Sequence, residues 1–284
     1  MSGSANGLPG LGTVMVASGC GGTGRELAPY ADLDGLTFVT RSLTLDPRPG
    51  GPSPRIAESP SGLVNAIGLH NPGLENFLAV ELPWLVRAGA RVVVSVAGGS
   101  LAEYADLARR LSRAPGVAGL EVNLSAPDQV GTGLVEVREP FHAGSVVGAV
   151  RREFPSDRPV LAKLRLDHGR AAEAARTVRD AGASAVVLGN ALPAAMPDGR
   201  PGGLSGPAVR PVALRAVREV VDVLPDVPVV GCGGIATAAD ARSYLDAGAV
   251  AVQVGTALLH DPTSLGRVAA GLEPTPAPDQ QGDA

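Results

Sequence analysis

The chain is poor in the residues that most specialised architectures need. It has two cysteines among 284 residues, Cys20 and Cys232, far apart and without a CxxC. No disulfide framework is expected, and a reducing, cytoplasmic setting fits. Two distant thiols also cannot hold an iron–sulfur cluster. The four histidines, His70, His142, His168 and His260, show no metal-ligand spacing. Charged residues are only 18%, the net charge is −4 and no long basic run occurs, which argues against nucleic-acid binding. No apolar run approaches the ~18 residues of a membrane-spanning helix. The opening MSGSANGLPG has neither the basic nor the apolar region of a signal peptide. Aromatics are 3% while Ala, Val, Gly and Arg are abundant, a pattern that reads as coding bias.

What remains is an apolar chain. At 45% hydrophobic residues it can fill a sizeable core, and global disorder is excluded. The length suits one large α/β domain or two small ones. The most informative stretch lies late: Val229-Val-Gly-Cys-Gly-Gly-Ile235, followed by Val252-Gln-Val-Gly-Thr256. Each is a short β-branched run that opens at once onto glycine. Glycines directly after a buried strand bring backbone N–H groups close to an anion. A helix-like stretch follows each, whose N-terminus adds positive dipole. Two such units in succession near the end of a chain are what the last two strands of a (β/α)8 barrel do with a phosphate.

The rest of the chain fits that frame. Residues 1–10 read as a disordered lead-in and 273–284 as a disordered tail, leaving 11–272 as a single domain. Strands are expected at Thr13–Ala17, Leu36–Thr40, Arg91–Val96, Val117–Val122, Val160–Leu164, Ala185–Leu188, Val227–Val230 and Val250–Val254. Helices are expected at Leu74–Arg87, Leu101–Arg113, Glu139–Glu153, Arg170–Ala181, Ala208–Val223, Ala238–Ala247 and Ala257–Ala270. The later strands are short and continuously apolar, as parallel strands buried on both faces are. A doubly wound sheet remains open, but so many strand–helix units favour a closed TIM (β/α)8 barrel. Two segments read as loops. Arg41 to Gly73 is a long excursion, which is functional or disordered at that length, though Leu63–Leu69 within it argues for order. Gly202-Gly-Leu-Ser-Gly206 is the other.

In a barrel of this kind the active site lies at the C-terminal ends of the strands. The residues expected there are Ser18 to Gly24, Arg41, Ser95 to Gly98, Asn123 and Ser125, Lys163 and Arg165, Asn190, and the two glycine sites. Amides, hydroxyls and a lysine in that place suit a flat heteroaromatic ligand with a phosphate. Lys163 ends an apolar strand, where an unpaired charge is unfavourable. Its partner is either such a ligand or a buried carboxylate. Asn65, Asn123 and Asn190 are either turn residues satisfied by the protein or ligand contacts.

These residues fall in blocks that resemble the dihydroorotate dehydrogenase family, from about Thr13 to Leu272. The blocks are Ala17-Ser-Gly-Cys20, Thr44-Leu-Asp-Pro-Arg48, Pro54-Arg55, Asn65-Ala-Ile-Gly-Leu69 with Asn71-Pro-Gly73, and Glu121-Val-Asn123. Lys163-Leu164, Gly202-Gly-Leu-Ser-Gly-Pro-Ala208, Gly231-Cys-Gly-Gly-Ile235 and Val254-Gly-Thr-Ala257 complete them. The likeness is to the soluble type and implies a TIM barrel with FMN. It implies phosphate contacts at Gly233, Gly234, Gly255 and Thr256, with Ser18, Gly19, Ser205 and Gly206 also on the cofactor side and Lys163 beside the ring. Arg41, Asn65, Asn123 and Asn190 fall to the substrate. A homodimer, a separate electron-transfer subunit and a place in pyrimidine biosynthesis are further implications.

The chain departs from the family pattern where the proton is handled. After the fourth strand the soluble members carry Asn-x-Ser-Cys-Pro-Asn, with cysteine as base. This chain reads Asn123-Leu-Ser-Ala126-Pro-Asp128. Alanine has no titratable proton. Asp128 stands where an amide faces the substrate carboxylate, and it is the expected replacement base. At an ordinary aspartate value near 3.9 it is a weak one unless buried. Cys20, Ser125 and His142 are weaker candidates. Arg41 replaces a lysine, keeping charge but not shape. Three functions therefore stay open: an FMN-dependent oxidoreductase acting on dihydroorotate or a relative, a non-catalytic flavin-binding paralogue, and a flavin-free barrel acting on a phosphorylated substrate.

Overall fold

The computed structural model describes residues 8–125, 139–167 and 169–273. Twelve strands run through them. In chain order they are β1 (Val14–Val16), β2 (Thr37–Val39), β3 (Ile56–Ser59), β4 (Gly62–Asn65), β5 (Arg91–Val96) and β6 (Val117–Asn123). Then come β7 (Val160–Leu164), β8 (Ala185–Leu188), β9 (Leu192–Ala195), β10 (Pro201–Ser205), β11 (Val229–Cys232) and β12 (Ala251–Val254). Eight of them close a barrel in the order β1-β12-β11-β8-β7-β6-β5-β2, so the expected TIM (β/α)8 barrel is the fold. Neighbouring barrel strands are parallel, and Val14 faces Val252 where β1 and β12 shut the ring.

Strand alternation sorts the side chains into two cores. Val16, Phe38, Val94, Leu120, Val122, Ala162, Val186 and Val254 point outward and pack with the helices. Met15, Val39, Val93, Leu161, Val187, Val230 and Ala251 form a second cluster inside the barrel. Both faces are covered, which is why these strands read as continuous apolar runs. Leu8 joins the inner cluster at 6% exposure, so part of the expected lead-in is packed core rather than a loose end. It has an apolar neighbour in Leu11, and together they stop one end of the barrel.

The helices follow the sequence with local adjustments. Ser100 caps the helix Leu101–Ser112 by accepting from the Glu103 N–H. The expected helix at Leu74–Arg87 is interrupted by a π turn over Phe77–Glu81. Pro83 has no N–H to give the Ala79 carbonyl, and the ladder widens just before it. The expected closing helix is two pieces, Thr256–His260 and Ser264–Ala270. Asp261 makes the break by accepting from the Thr263 N–H and hydroxyl.

The two expected loops are the main correction. The excursion holds the hairpin β3–β4, and the stretch around Gly202–Gly206 is β10. They pair antiparallel, with Gly203 opposite Asn65, in a second sheet of order β3-β4-β10-β9. Gly202 is needed for that approach: a Cβ there would sit 2.8 Å from the Asn65 carbonyl oxygen. The second sheet stands over the C-terminal mouth of the barrel, and both sheets contribute to the cavity between them.

Candidate active site

That cavity is about 340 Å³ and opens at the strand ends. Ser18, Gly19, Arg41, Asn65, Asn123, Lys163, Asn190, Ser205, Gly206, Gly233, Gly234, Gly255 and Thr256 all line it. Of the other residues expected at the strand ends, Cys20 and Gly22 also line it, whereas Ser95 to Gly98, Ser125 and Arg165 do not. Asp128 and Ala126 lie outside the described residues.

One end is made of backbone. Gly233 and Gly234 follow β11 with φ of 130° and 66°, and Gly255 and Thr256 follow β12. Among the described residues, none of these four N–H groups bonds to another backbone carbonyl. A Cβ on Gly234 would lie 2.7 Å from Arg210 Cβ and 2.8 Å from the Gly206 oxygen, so only glycine lets the chain pass here. The helix dipoles expected behind these glycines contribute little. The N-terminus of Ala238–Asp246 is closed by its own Thr237–Asp240 capping box, and Asp240 also accepts from Ala236 and pairs with Arg210. The helix after Gly255 has only five residues. The anion site is therefore an open row of amides.

The centre is Lys163, 4% exposed at the end of β7. Both partners considered for it from the sequence are compatible with its position. It faces the cavity, and its ammonium lies 3.5 Å from Glu121 and donates to Gln253 Oε1 at 3.0 Å. Burial works against the ammonium, but Cys232 and Glu121 outweigh it and lift Lys163 above its ordinary value. Burial also pushes up both thiols, Cys20 to about 11. Of these neighbours, Glu121 makes the ion-pair contact with Lys163. Glu121 and Gln253 were not singled out from the sequence. The available signal was a polar residue within an otherwise apolar strand, which must find a partner.

The other end is a chain of amides and hydroxyls. Asn123 Nδ2 donates to Ser42 Oγ at 2.9 Å, and Ser42 Oγ is 2.9 Å from Ser95 Oγ. Asn190 Nδ2 donates to Ser125 Oγ at 2.7 Å. Asn65 Nδ2 donates to the Gly203 carbonyl at 3.1 Å, tying the two sheets together. These bonds fix the amides in orientation. Ser42 is a lining residue the sequence reading missed. Arg41 lies among them, and its charge acts on Glu81, whose carboxyl burial raises and Arg41 lowers.

The weaker base candidates do not fit the role. His142 is exposed and does not line the cavity. Ser125 is engaged by Asn190. Cys20 lines the cavity but keeps its proton. Its folded value exceeds the ordinary 9.0, so the unfolded chain releases the proton first. The Cys20 contribution to stability should thus be level below pH 9 and fall as the pH rises towards 11. Urea unfolding across that window, compared with Cys20→Ala, should show a shallower fall in the variant.

A closed parallel barrel with an amide cradle and a buried ammonium at its strand ends defines a barrel protein whose cavity suits a phosphate-bearing ligand. The family model for dihydroorotate dehydrogenase matches residues 7–275. The chain belongs to the dihydroorotate dehydrogenase family, whose members are flavin-dependent. A dihydroorotate dehydrogenase B (NAD(+)) catalytic subunit from Pelobacter propionicus is 45% identical over 92% of this chain and 88% of its own length. The protein of that name from Desulforudis audaxviator is 46% identical over 92% and 87%. The one from Bacillus cytotoxicus is 40% identical over 90% and 86%. No helix among the described residues is long and apolar enough to cross a membrane.

Proposed function

We propose that the chain is an FMN-dependent oxidoreductase that moves a hydride between dihydroorotate, or a close relative, and flavin N5. The observation that carries this is the convergence of the residues named above on one cavity, with free amides at one end and fixed asparagines at the other. Bound FMN would supply hydride-accepting chemistry that no side chain here provides. The amides of Gly233, Gly234, Gly255 and Thr256 would hold its phosphate. Ser18, Gly19, Ser205 and Gly206 would border it, and Lys163 would lie beside the ring. Arg41, Asn65, Asn123 and Asn190 would orient the substrate, and Asp128 would take its proton. Residues 11–272 are the working barrel in this reading.

The row of backbone N–H groups with no backbone acceptor among the described residues supports a phosphate-bearing cofactor such as FMN. The relatives' names support dihydroorotate, pyrimidine biosynthesis and a separate electron-transfer subunit that passes electrons to NAD(+). They also weigh against a non-catalytic paralogue. A cytoplasmic homodimer completes the proposal. Gly234→Ala places alanine at φ 66° against Arg210, a strain of about 1–3 kcal/mol. FMN affinity measured by fluorescence quenching should fall about ten- to a hundredfold.

The function is tested on purified protein. It should be yellow, and dihydroorotate added without oxygen should bleach it. A colourless protein that takes up no FMN would end the flavin reading. A yellow protein that stays oxidised would end the assignment of dihydroorotate.

A further inference from the structure

Glu121, Lys163 and Gln253 come from β6, β7 and β12, and β12 is separated from β7 in the barrel by β8 and β11. Their side chains meet across the interior. Lys163 Nζ donates to Gln253 Oε1 at 3.0 Å, Gln253 Nε2 donates to Glu121 Oε2 at 2.5 Å, and Glu121 Oε1 lies 3.5 Å from Lys163 Nζ. This is a closed ring of acid, amide and ammonium. Glu121 and Gln253 are 0% exposed, and of the three only Lys163 lines the cavity.

The ring fixes more than a contact. Turning the Gln253 amide over would set its oxygen against the carboxylate and its NH2 against the ammonium, so the neighbours dictate one orientation. Among the described residues, Glu121 Oε1 has no other hydrogen-bond partner, and Lys163 is the cation paired with it. Stability gives no reason for this arrangement, because apolar side chains of similar volume serve a barrel interior as well or better than a buried ion pair. The ring is also only one side chain from the cavity. A charge pair in a dry wall sets the field inside the space it borders.

We propose that Glu121 and Gln253 are positioning residues that hold the Lys163 ammonium towards the cavity, and that the Glu121 charge sets the midpoint potential of the flavin bound there. The proposal rests on the FMN reading above. An ammonium balanced by a carboxylate favours added electrons less than a bare one, and loss of the ammonium disfavours them. Charge changes at 121 and 163 therefore act in opposite directions, which a general loosening of the barrel does not.

The test is a redox titration of FMN-loaded protein at pH 7, with FMN affinity measured alongside. Glu121→Gln should raise the midpoint potential and Lys163→Gln should lower it. Each should change the ratio of reduced to oxidised flavin at least tenfold, about 30 mV for a two-electron couple. Potentials that stay at the wild-type value, or move in the same direction in both variants, overturn the proposal. Glu121→Gln decides by its sign. If it does not fold, proton uptake on reducing the wild type decides. It should equal what the spectrum of the reduced flavin accounts for, and one extra proton per flavin would mean that Lys163 was neutral and overturn the proposal. A protein that binds no FMN fails before any titration, which is the failure of the parent reading and not of this one.

Discussion

Lys163→Met will lower stability by about 3–5 kcal/mol, the range for breaking a buried ion pair by removing one partner. The loss comes from what is left behind. Glu121 is 0% exposed, and its Oε1 has only Lys163 beside it. Methionine fills the space but leaves a buried carboxylate without a counter-charge. The double variant Glu121→Gln/Lys163→Met should recover most of the loss, since the ring then carries no charge. Urea unfolding of the wild type, both single variants and the double variant gives the coupling directly. If the two single losses simply add, the ring is not the cause. Substrate-driven flavin reduction should stay impaired in the double variant, because the ammonium facing the cavity is still missing.

Asp128→Asn will slow flavin reduction by dihydroorotate about 10²- to 10⁴-fold, the usual contribution of a general base. Ala126 stands where the family pattern has cysteine and cannot accept a proton. The titratable groups that line the cavity among the described residues are Cys20, Arg41, His70, Lys163 and Cys232. Two are cationic, and two are thiols that burial keeps protonated. His70 is exposed, with Nδ1 3.1 Å from the Pro49 carbonyl oxygen. His70→Ala, measured beside Asp128→Asn in anaerobic stopped flow, separates the two. Adding Ala126→Cys to the slowed Asp128→Asn protein should restore much of the rate. An unchanged rate in Asp128→Asn would remove that residue from the reaction.

The barrel was legible because its strands carry their own pattern. Runs such as Val92-Val-Val94 and Ala185-Val-Val187 are apolar on both sides, and only a sheet covered on both faces makes that stable. The glycines after β11 and β12 and the lysine at the end of β7 were legible for a similar reason: each breaks a local rule that needs an explanation. The hairpin β3–β4 was harder. It sits in an excursion rich in proline and glycine, and β4 pairs with the distant β10 as well as with β3, with Asn65 opposite Gly203.

By itself, then, the sequence determined the strand–helix alternation, the closed barrel and the residue types at its mouth, because these follow from periodicity and backbone freedom within a few neighbouring residues. Tertiary structure decided which polar groups meet. It set Gln253 between Glu121 and Lys163, and it turned two apparent loops into a second sheet. It also left the glycine amides open. The ring and the second sheet bring together residues 90 to 138 positions apart, and no local pattern records such a distance.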